Sequence, residues 1–254
     1  MHNLPHTVIS LQPAERAAEL GKALQGSGIA FFSLPMIYTE TVPLSKEIEN
    51  NFHHLHRFDL LVFTSRNGVN AFFALLEKTG VSLPGRIKTA VIGQGTANEL
   101  EKAYRPADFI QPGNTSADFI RFLRTEVIRE KQRVLLALGN LAPNTLENGL
   151  KPHVPVKRLN VYQTLPVKTY NKSLLQDIEN NRYGLLVVSS PSAFHQFHAL
   201  YHPRATTPLR IVSIGKTTTG AILKKEPQAI VLTAAKPGTE GLLEEINKYF
   251  HLKN

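Results

Sequence analysis

The sequence predicts an α/β protein with parallel sheets, built from a duplicated unit of about 125 residues. Short apolar runs alternate with helix-like stretches along nearly the whole chain, as in proteins whose parallel strands are linked by helices. Runs such as "LLVF" and "LLVV" are continuously apolar, which is typical of strands buried on both faces. Phrases from the first half of the chain recur in the second half, in the same order.

The predicted strands begin with "TVISL" at 7–11, followed by a stretch at 29–39 that Pro35 interrupts. Proline cannot donate a ladder hydrogen bond, so it is confined to the ends and edges of sheets. Further apolar runs, bounded by turn-forming or polar residues, predict strands at 58–65, 87–93, 107–112, 133–139, 154–164, 184–190, 209–215 and 228–234.

The predicted helices show apolar residues spaced three and four apart. The first, at 13–24, opens with proline, which favours the first helical turn. Gly80 ends the helix at 67–80, and Thr115 or Ser116 caps the one at 115–131. The other helices are predicted at 95–103, 144–150, 171–180, 191–201, 216–225 and 239–250.

The repeat has a nearly constant spacing. "FDLLVFTS" at 58 matches "YGLLVVSS" at 183, and "AVIGQGTANEL" at 90 matches "VSIGKTTTGAI" at 212, which are offsets of 125 and 122. Three further pairs recur at offsets of about 124 to 126. Two copies of this length exclude a solenoid. A cleft between the two copies is the expected ligand site.

The composition limits the classes of function. Lys and Arg number 29 and Asp and Glu 20, so the formal net charge is +9 and attracts anions. The basic residues are scattered rather than clustered, which argues against a nucleic-acid partner. The absence of cysteine excludes disulfides, thiolate metal sites and cysteine nucleophiles. The N-terminus lacks the pattern of a secretory signal, and no run approaches roughly 18 apolar residues, so we expect a cytoplasmic protein without a membrane partner.

Small polar residues follow the repeated strands, where ligands of parallel α/β sheets bind and helix N-termini attract anions. Ser65 and Ser190 can donate hydroxyl groups to an anion or simply cap the next helices. Thr96 and Thr218 lie one turn into "GQGT" and "GKTT", where capping and ligand contact are compatible. Tyr162 ends "LNVYQT"; its phenol can donate a proton to a leaving oxygen or be an amphipathic residue at a sheet edge.

Other patterns are weaker. "GQGTAN" at 93–98 has two glycines of a dinucleotide fingerprint but lacks the third glycine and the acidic partner. His53, His54 and His56 have a spacing that metal ligands use, but no carboxylate is arranged nearby, so a solvated turn is the preferred interpretation. His195 and His198, three apart on a predicted helix, are expected at the surface or in packing contacts.

The chain resembles the uroporphyrinogen-III synthase family over nearly its full length. The resemblance rests on "FTSRNGV", "VIGQGTA", "TSADFI", "VLLALGN", "LNVYQT", "SSPSAF", "SIGKTTT" and "PGTEGLLEEI". It implies a hydro-lyase that cyclises hydroxymethylbilane to uroporphyrinogen III, with loss of water and inversion of the terminal (D) pyrrole ring. It also implies no metal or organic cofactor, a monomer, and a transient contact with hydroxymethylbilane synthase.

The resemblance further implies two flavodoxin-like domains joined by a two-strand linker, near residues 38–41 and 163–168. A discontinuous domain 1 comprises 1–38 and 168–254, and domain 2 comprises 41–163. Each domain then borrows strands from both sequence copies.

For the site, Tyr162 matches the tyrosine of the family's Y-x-T motif and is predicted to protonate or orient the leaving hydroxyl. Positioning of the substrate contributes up to roughly 7–11 kcal/mol, so we expect that no single side chain is indispensable. The predicted contacts to the polycarboxylate substrate are Ser65, Arg66, Asn67, Gln94, Thr96, Ser116, Ser190, Ser192, Lys216 and Thr218.

Two departures from the family pattern remove expected cations. Gln12 precedes Pro13 where the family often has arginine. The family also often has an arginine in the loop after the strand that corresponds to "VLLALG", and the loop here, "NLAPNTLENG", has none. Arg66 and Lys216 can compensate, and charge reversal at either is expected to raise KM. Two alternatives stay open: a two-lobed anion-binding or sensor protein without catalysis, and a nucleotide-dependent oxidoreductase.

Overall fold

The protein, described by a computed structural model over residues 6–113, 115–203, 207–236 and 238–251, is an α/β structure with two mostly parallel sheets. The predicted fold class is therefore confirmed. Within these ranges the strands are β1 (Thr7–Ser10), β2 (Ala30–Ser33), β3 (Ile37–Thr41), β4 (Leu60–Phe63), β5 (Lys88–Ile92), β6 (Phe109–Gln111), β7 (Val134–Gly139), β8 (Val156–Pro166), β9 (Leu185–Val188), β10 (Arg210–Ser213) and β11 (Ile230–Thr233). The α-helices are α1 (Ala14–Ala23), α2 (Lys46–His53), α3 (Arg66–Thr79), α4 (Gln94–Ala103), α5 (Ser116–Phe122), α6 (Thr145–Leu150), α7 (Lys172–Glu179), α8 (Pro191–Leu200), α9 (Lys216–Lys225) and α10 (Thr239–Tyr249).

The chain divides into two compact units. Unit 1 comprises Met1–Tyr38 and Leu165–Asn254, and unit 2 comprises Thr39–Thr164. The sheet of unit 1 has the order β11-β10-β9-β1-β2, with parallel pairing throughout. In chain order this is the 2-1-3-4-5 arrangement of flavodoxin-like sheets.

The sheet of unit 2 has the order β3-β8-β7-β4-β5-β6, in which β8, β7, β4, β5 and β6 pair in parallel. Its strands β7 and β8 take the places that β1 and β2 occupy in unit 1, and β4 to β6 take those of β9 to β11. Each sheet thus combines strands from both halves of the duplicated sequence. The strands β3 and β8, which cross the boundaries between the units, are neighbours in this sheet.

Helices cover both faces of each sheet, which explains the continuously apolar strands. Strand β4 is fully buried, with Leu61 and Phe63 in one hydrophobic cluster and Leu60 and Val62 in another. Because successive side chains of a strand point to opposite faces, these are the two faces of the sheet of unit 2. No helix in the described part of the chain has the length and apolar character to cross a bilayer.

Two predicted elements differ from the structure, and one helix of the structure was not predicted. The strand predicted at 29–39 is two strands, β2 and β3, separated around Pro35. The helix predicted at 115–131 is α-helical only to Phe122, after which Leu123–Val127 forms a π-helical turn. Helix α2 was not among the predicted elements, although Ser45 caps it by accepting the Ile48 N–H at 3.3 Å.

Candidate functional site

Ser65 and Tyr162 meet at the carboxyl edge of the sheet of unit 2. Ser65 follows β4 and caps α3, since its Oγ accepts the Gly68 N–H at 3.0 Å. The same hydroxyl donates to the phenolic oxygen of Tyr162 at 3.2 Å. Two predicted site residues, 97 positions apart in sequence, are thus joined directly.

Gly139 determines where the Tyr162 ring lies. It ends β7 and is paired with Tyr162 of β8 next to a register shift. A Cβ at this glycine would lie 2.5 Å from a carbon of the ring and 2.8 Å from the phenolic oxygen. The half-buried ring therefore lies against the backbone of β7 at Gly139, with its hydroxyl beside the beginning of α3.

Arg158 organises the loop that follows β7. Its guanidinium donates to the carbonyls of Gly139 and Ala142, both at 2.9 Å, and to the side chain of Asn144 at 2.8 Å. The loop has no arginine of its own, and Arg158, which reaches it from β8, was not among the predicted site residues. The alternation of Arg158, Asn160 and Tyr162 along β8 was the available signal, because residues two apart share a face of a strand.

Helices α4 and α9 have glycine at the N-cap and no capping side chain. Gly93 and Gly215 are their N-cap residues, and neither helix has a side-chain cap hydrogen bond. The expected capping role of Thr96 and Thr218 is therefore wrong, because both lie inside the first turn and are buried. Backbone N–H groups at the beginnings of these helices are left without a side-chain acceptor, which suits an anionic ligand.

The remaining predicted contacts of unit 2 lie at separate positions along the same loops. Arg66 is the half-buried first residue of α3, and exposed Asn67 donates to Thr39 Oγ1 at 3.3 Å. Gln94, also exposed, donates to Asn98 at 2.8 Å. Ser116 is the exposed first residue of α5, whose cap is Thr115.

Unit 1 repeats the serine cap with a different neighbour. Ser190 caps α8 by accepting the Ala193 N–H at 3.2 Å, and its hydroxyl lies 3.1 Å from that of Ser192. Lys216 is the exposed first residue of α9. The structure thus brings Ser190 and Ser192 together and places Lys216 at the following strand–helix junction.

A further polar group at the carboxyl edge of unit 2 was missed. The Oε1 atom of Gln111, the last residue of β6, is the one buried side-chain polar atom in the described ranges without a hydrogen-bond partner. The backbone carbonyl of Gln111 accepts the Gly93 N–H at 2.8 Å, so Gln111 lies beside the N-cap residue of α4.

The histidines singled out in the sequence do not lie in a group of metal ligands in the described part of the chain. His53 ends α2 rather than lying in a turn, whereas His54 and His56 follow it, with His56 in a short 3₁₀ helix. His198 lies 3.2 Å from Glu226, and His195 is exposed. Among the described residues no group of three or more His, Asp or Glu side chains is arranged to hold a metal ion.

Comparison with known proteins gives a consistent result. The family model described as "Uroporphyrinogen-III synthase HemD" matches residues 18–244. The uroporphyrinogen-III synthase of Chlorobaculum parvum is 26% identical, over 86% of this chain and 89% of that protein. The porphyrin biosynthesis protein HemD of Ruminiclostridium josui is 20% identical over 94% of this chain, which spans only 47% of that relative.

Solved structures share the fold. A mutant uroporphyrinogen III synthase of Thermus thermophilus aligns with a TM-score of 0.67 at 18% identity, covering 96% of this chain and 98% of that one. The uroporphyrinogen-III synthetase of Helicobacter pylori aligns with a TM-score of 0.61 at 20% identity, covering 95% and 98%. The resemblance drawn from the sequence motifs is confirmed, and the chain belongs to the uroporphyrinogen-III synthase HemD family.

Proposed function

We propose that this chain cyclises hydroxymethylbilane to uroporphyrinogen III, losing water and inverting the terminal pyrrole ring. Family membership supports the reaction. The observation that carries the mechanism is the hydrogen bond from Ser65 to Tyr162 at the carboxyl edge of unit 2.

Tyr162 is proposed to protonate or orient the hydroxyl group that leaves as water. Ser65 accepts the Gly68 N–H and donates to the phenolic oxygen, which leaves the phenolic hydrogen of Tyr162 for the substrate. Hydrogen bonds in such a chain polarise one another, so the phenol becomes a better donor. Departure of water leaves an azafulvene cation, whose exocyclic carbon is attacked by the substituted carbon of the terminal ring to give a spiro intermediate. The original bond from that ring carbon to its bridging carbon then breaks, and the free α-carbon of the terminal ring attacks the released bridging carbon and loses a proton, which closes the macrocycle.

Binding of the substrate carboxylates is assigned to strand–helix junctions of both units. The glycine-capped beginnings of α4 and α9 offer N–H groups and the positive end of a helix dipole. Arg66 and Lys216 are the first residues of α3 and α9 and add positive charge there. The expected transient contact with hydroxymethylbilane synthase, the cytoplasmic setting and the monomeric form belong to the same proposal, supported by family membership alone.

Freshly prepared hydroxymethylbilane tests the reaction. We expect the III isomer to form at a rate proportional to the protein concentration, whereas closure to the I isomer alone would contradict the proposed function. Tyr162→Phe keeps the ring and removes the proton donor, so kcat should fall about a hundredfold without reaching zero. An unchanged kcat would remove Tyr162 from the chemistry while leaving the reaction assigned.

Charge reversal tests the anion contacts. Arg66→Glu and Lys216→Glu should raise KM with less effect on kcat, because they remove attraction to carboxylates present in both substrate and transition state. Lys102→Glu, at the far end of α4, is the matched control. A KM equal to that of the unaltered protein would exclude the residue from the site.

A further inference from the structure

A basic cavity of about 750 Å³ lies in unit 2, at the opposite end of the strands from Tyr162. It is formed by α5 with the π-helical turn that follows it, by the segment between that turn and β7, and by the segment between α6 and β8. Val134 and Val156 begin β7 and β8, so the segments leading into them lie at the amino-terminal edge of the sheet. Strand β7 has six residues, which separates the two edges by about 20 Å.

Positive charge dominates the cavity wall. Arg121, Arg124 and Arg129 line it together with a single carboxylate, Glu130, so three cations face one anion. The planar guanidinium group can donate two parallel hydrogen bonds to a carboxylate or phosphate. His153 adds a further donor or acceptor.

The arginines are only weakly engaged within the protein. Arg121 lies 3.6 Å from Asp118, with its side chain 75% exposed. Arg129 donates to the backbone carbonyls of Ile128 and Glu126, which do not neutralise its charge. The side chain of Arg124 makes no hydrogen bond or ion pair with any residue that the structure describes. The cavity therefore keeps a net positive charge.

Apolar side chains complete the wall. Ile120, Ile128 and Val154 line the cavity, together with the ring of Pro152. Ile128 and Val154 also belong to the hydrophobic cluster on this face of the sheet, so their positions are held by packing. A ligand that fits this wall carries an apolar group beside its charge.

The matching region of unit 1 is built differently. There α10 runs as a regular α-helix over Thr239–Tyr249 beside α1, which has ten residues against six in α6. Glu244 and Glu245 on α10 pair with lysines, so that surface is not a cluster of arginines. Within the residues that the structure describes, the π-helical turn and the basic wall thus occur in unit 2 alone, and π turns are frequent at functional sites.

We propose that this cavity binds a small amphipathic anion: an organic phosphate or carboxylate of about two negative charges that carries an apolar group. The ligand's charged group lies against Arg121, Arg124 and Arg129, and its apolar group lies against Ile120 and Val154. This is a second ligand site, about 20 Å from the proposed reaction centre, and it stands independently of the reaction assigned to Tyr162.

NMR titration of the isotope-labelled protein tests the site, with phenyl phosphate and phthalate as probes and inorganic phosphate and benzyl alcohol as comparators. We expect shifts confined to amides around Ile120, Ile128 and Val154. One of the two amphipathic anions should bind about tenfold more tightly than inorganic phosphate, because it also buries apolar surface. The better probe identifies the charged group as phosphate or carboxylate.

Arg124→Gln should weaken that binding about tenfold, and Arg121→Gln provides a second variant should the first unfold. The matched control is Arg182→Gln, which removes an exposed positive charge from unit 1 and should leave binding unchanged. Shifts spread over the whole basic surface, equal weakening by Arg182→Gln, or no tighter binding of either amphipathic anion would overturn the proposal.

Discussion

Helices α3 and α8 begin with the same serine cap in the two units, yet the caps have different neighbours. Ser65 hydrogen-bonds Tyr162, whereas Ser190 hydrogen-bonds Ser192 within its own helical turn. Both copies of the duplicated unit therefore retain the serine that caps the helix N-terminus. The candidate chemistry of unit 2 comes from Tyr162, which strand β8 places beside the Ser65 cap.

A second pair of matched positions differs in polarity. Thr89 on β5 and Asp108 before β6 form a polar cluster, in which the carboxylate accepts the Thr89 N–H at 2.9 Å and Lys88 Nζ at 3.0 Å. The matching residues of unit 1 are Ile211, 122 positions after Thr89, and Val231, 123 positions after Asp108. Ile211 and Val231 pair across β10 and β11. The same sheet position is thus held by charge in unit 2 and by apolar contact in unit 1.

The largest expected effect comes from Gly139→Ala, which tests whether the position of the Tyr162 ring distinguishes unit 2. The added methyl group would lie 2.5 Å from a carbon of the ring and must displace it. Misplacement by about 1 Å can cost about a hundredfold in rate, so we expect a fall in kcat of that size. Steady-state kinetics on hydroxymethylbilane measures it.

Gly85→Ala is the control for this substitution, because a Cβ there meets no atom within 4 Å. It should leave kcat unchanged. If Gly139→Ala retained full activity in a correctly folded protein, the placement of Tyr162 against β7 would have no part in the reaction.

Asp108→Asn tests the polar cluster of unit 2, with an expected loss of about 2 kcal/mol at pH 7. Burial opposes ionisation, but hydrogen bonds from Lys88, Thr89 and Arg105 outweigh it and lower the pKa of Asp108 to about 2. Because the pKa is lower in the folded state, the stabilisation is complete above about pH 4 and is lost as the pH falls towards 2. Urea unfolding of both proteins at pH 7 and pH 2.5 measures the difference.

Asp177→Asn in unit 1 is the matched control for Asp108. Asp177 pairs with Arg182, whose side chain is 64% exposed, and such pairs contribute little. We expect a change below about 1 kcal/mol with little dependence on pH. A loss at Asp108→Asn that persisted undiminished at pH 2.5 would show that its charge is not the cause.

The smallest expected effect comes from the two serine caps. Ser65→Ala and Ser190→Ala should each cost about 1 kcal/mol of stability, because each removes a side-chain acceptor from a helix N-terminus. Only Ser65→Ala should lower kcat, since Tyr162 loses its donor, whereas Ser190→Ala should act on KM alone. Equal losses of kcat in both variants would mean that the cap, not its contact with Tyr162, affects the reaction.

Local signals in the sequence were sufficient for most of the elements. Serine caps, Gly80 at a left-handed C-cap with φ of 66°, and apolar runs predicted the order of strands and helices closely. The prediction of one α-helix over 115–131 was wrong because the helical spacing of apolar residues continues into Leu123–Val127, which forms a π-helical turn. Leu123 and Val127 are buried in that turn, so the apolar pattern does not distinguish it from an α-helix. Arg158 was missed because its hydrogen bonds join a strand to a loop 14 to 19 residues earlier.

The sequence by itself determined the strand–helix order, the duplication and the family, because spacing, capping and apolar pattern act over a few residues. Only the tertiary structure decided which strands share a sheet, that Ser65 contacts Tyr162 and that Thr96 and Thr218 are buried. It also decided that three arginines line one cavity. These outcomes depend on backbone pairing and packing between residues far apart in the chain, and no local preference encodes them.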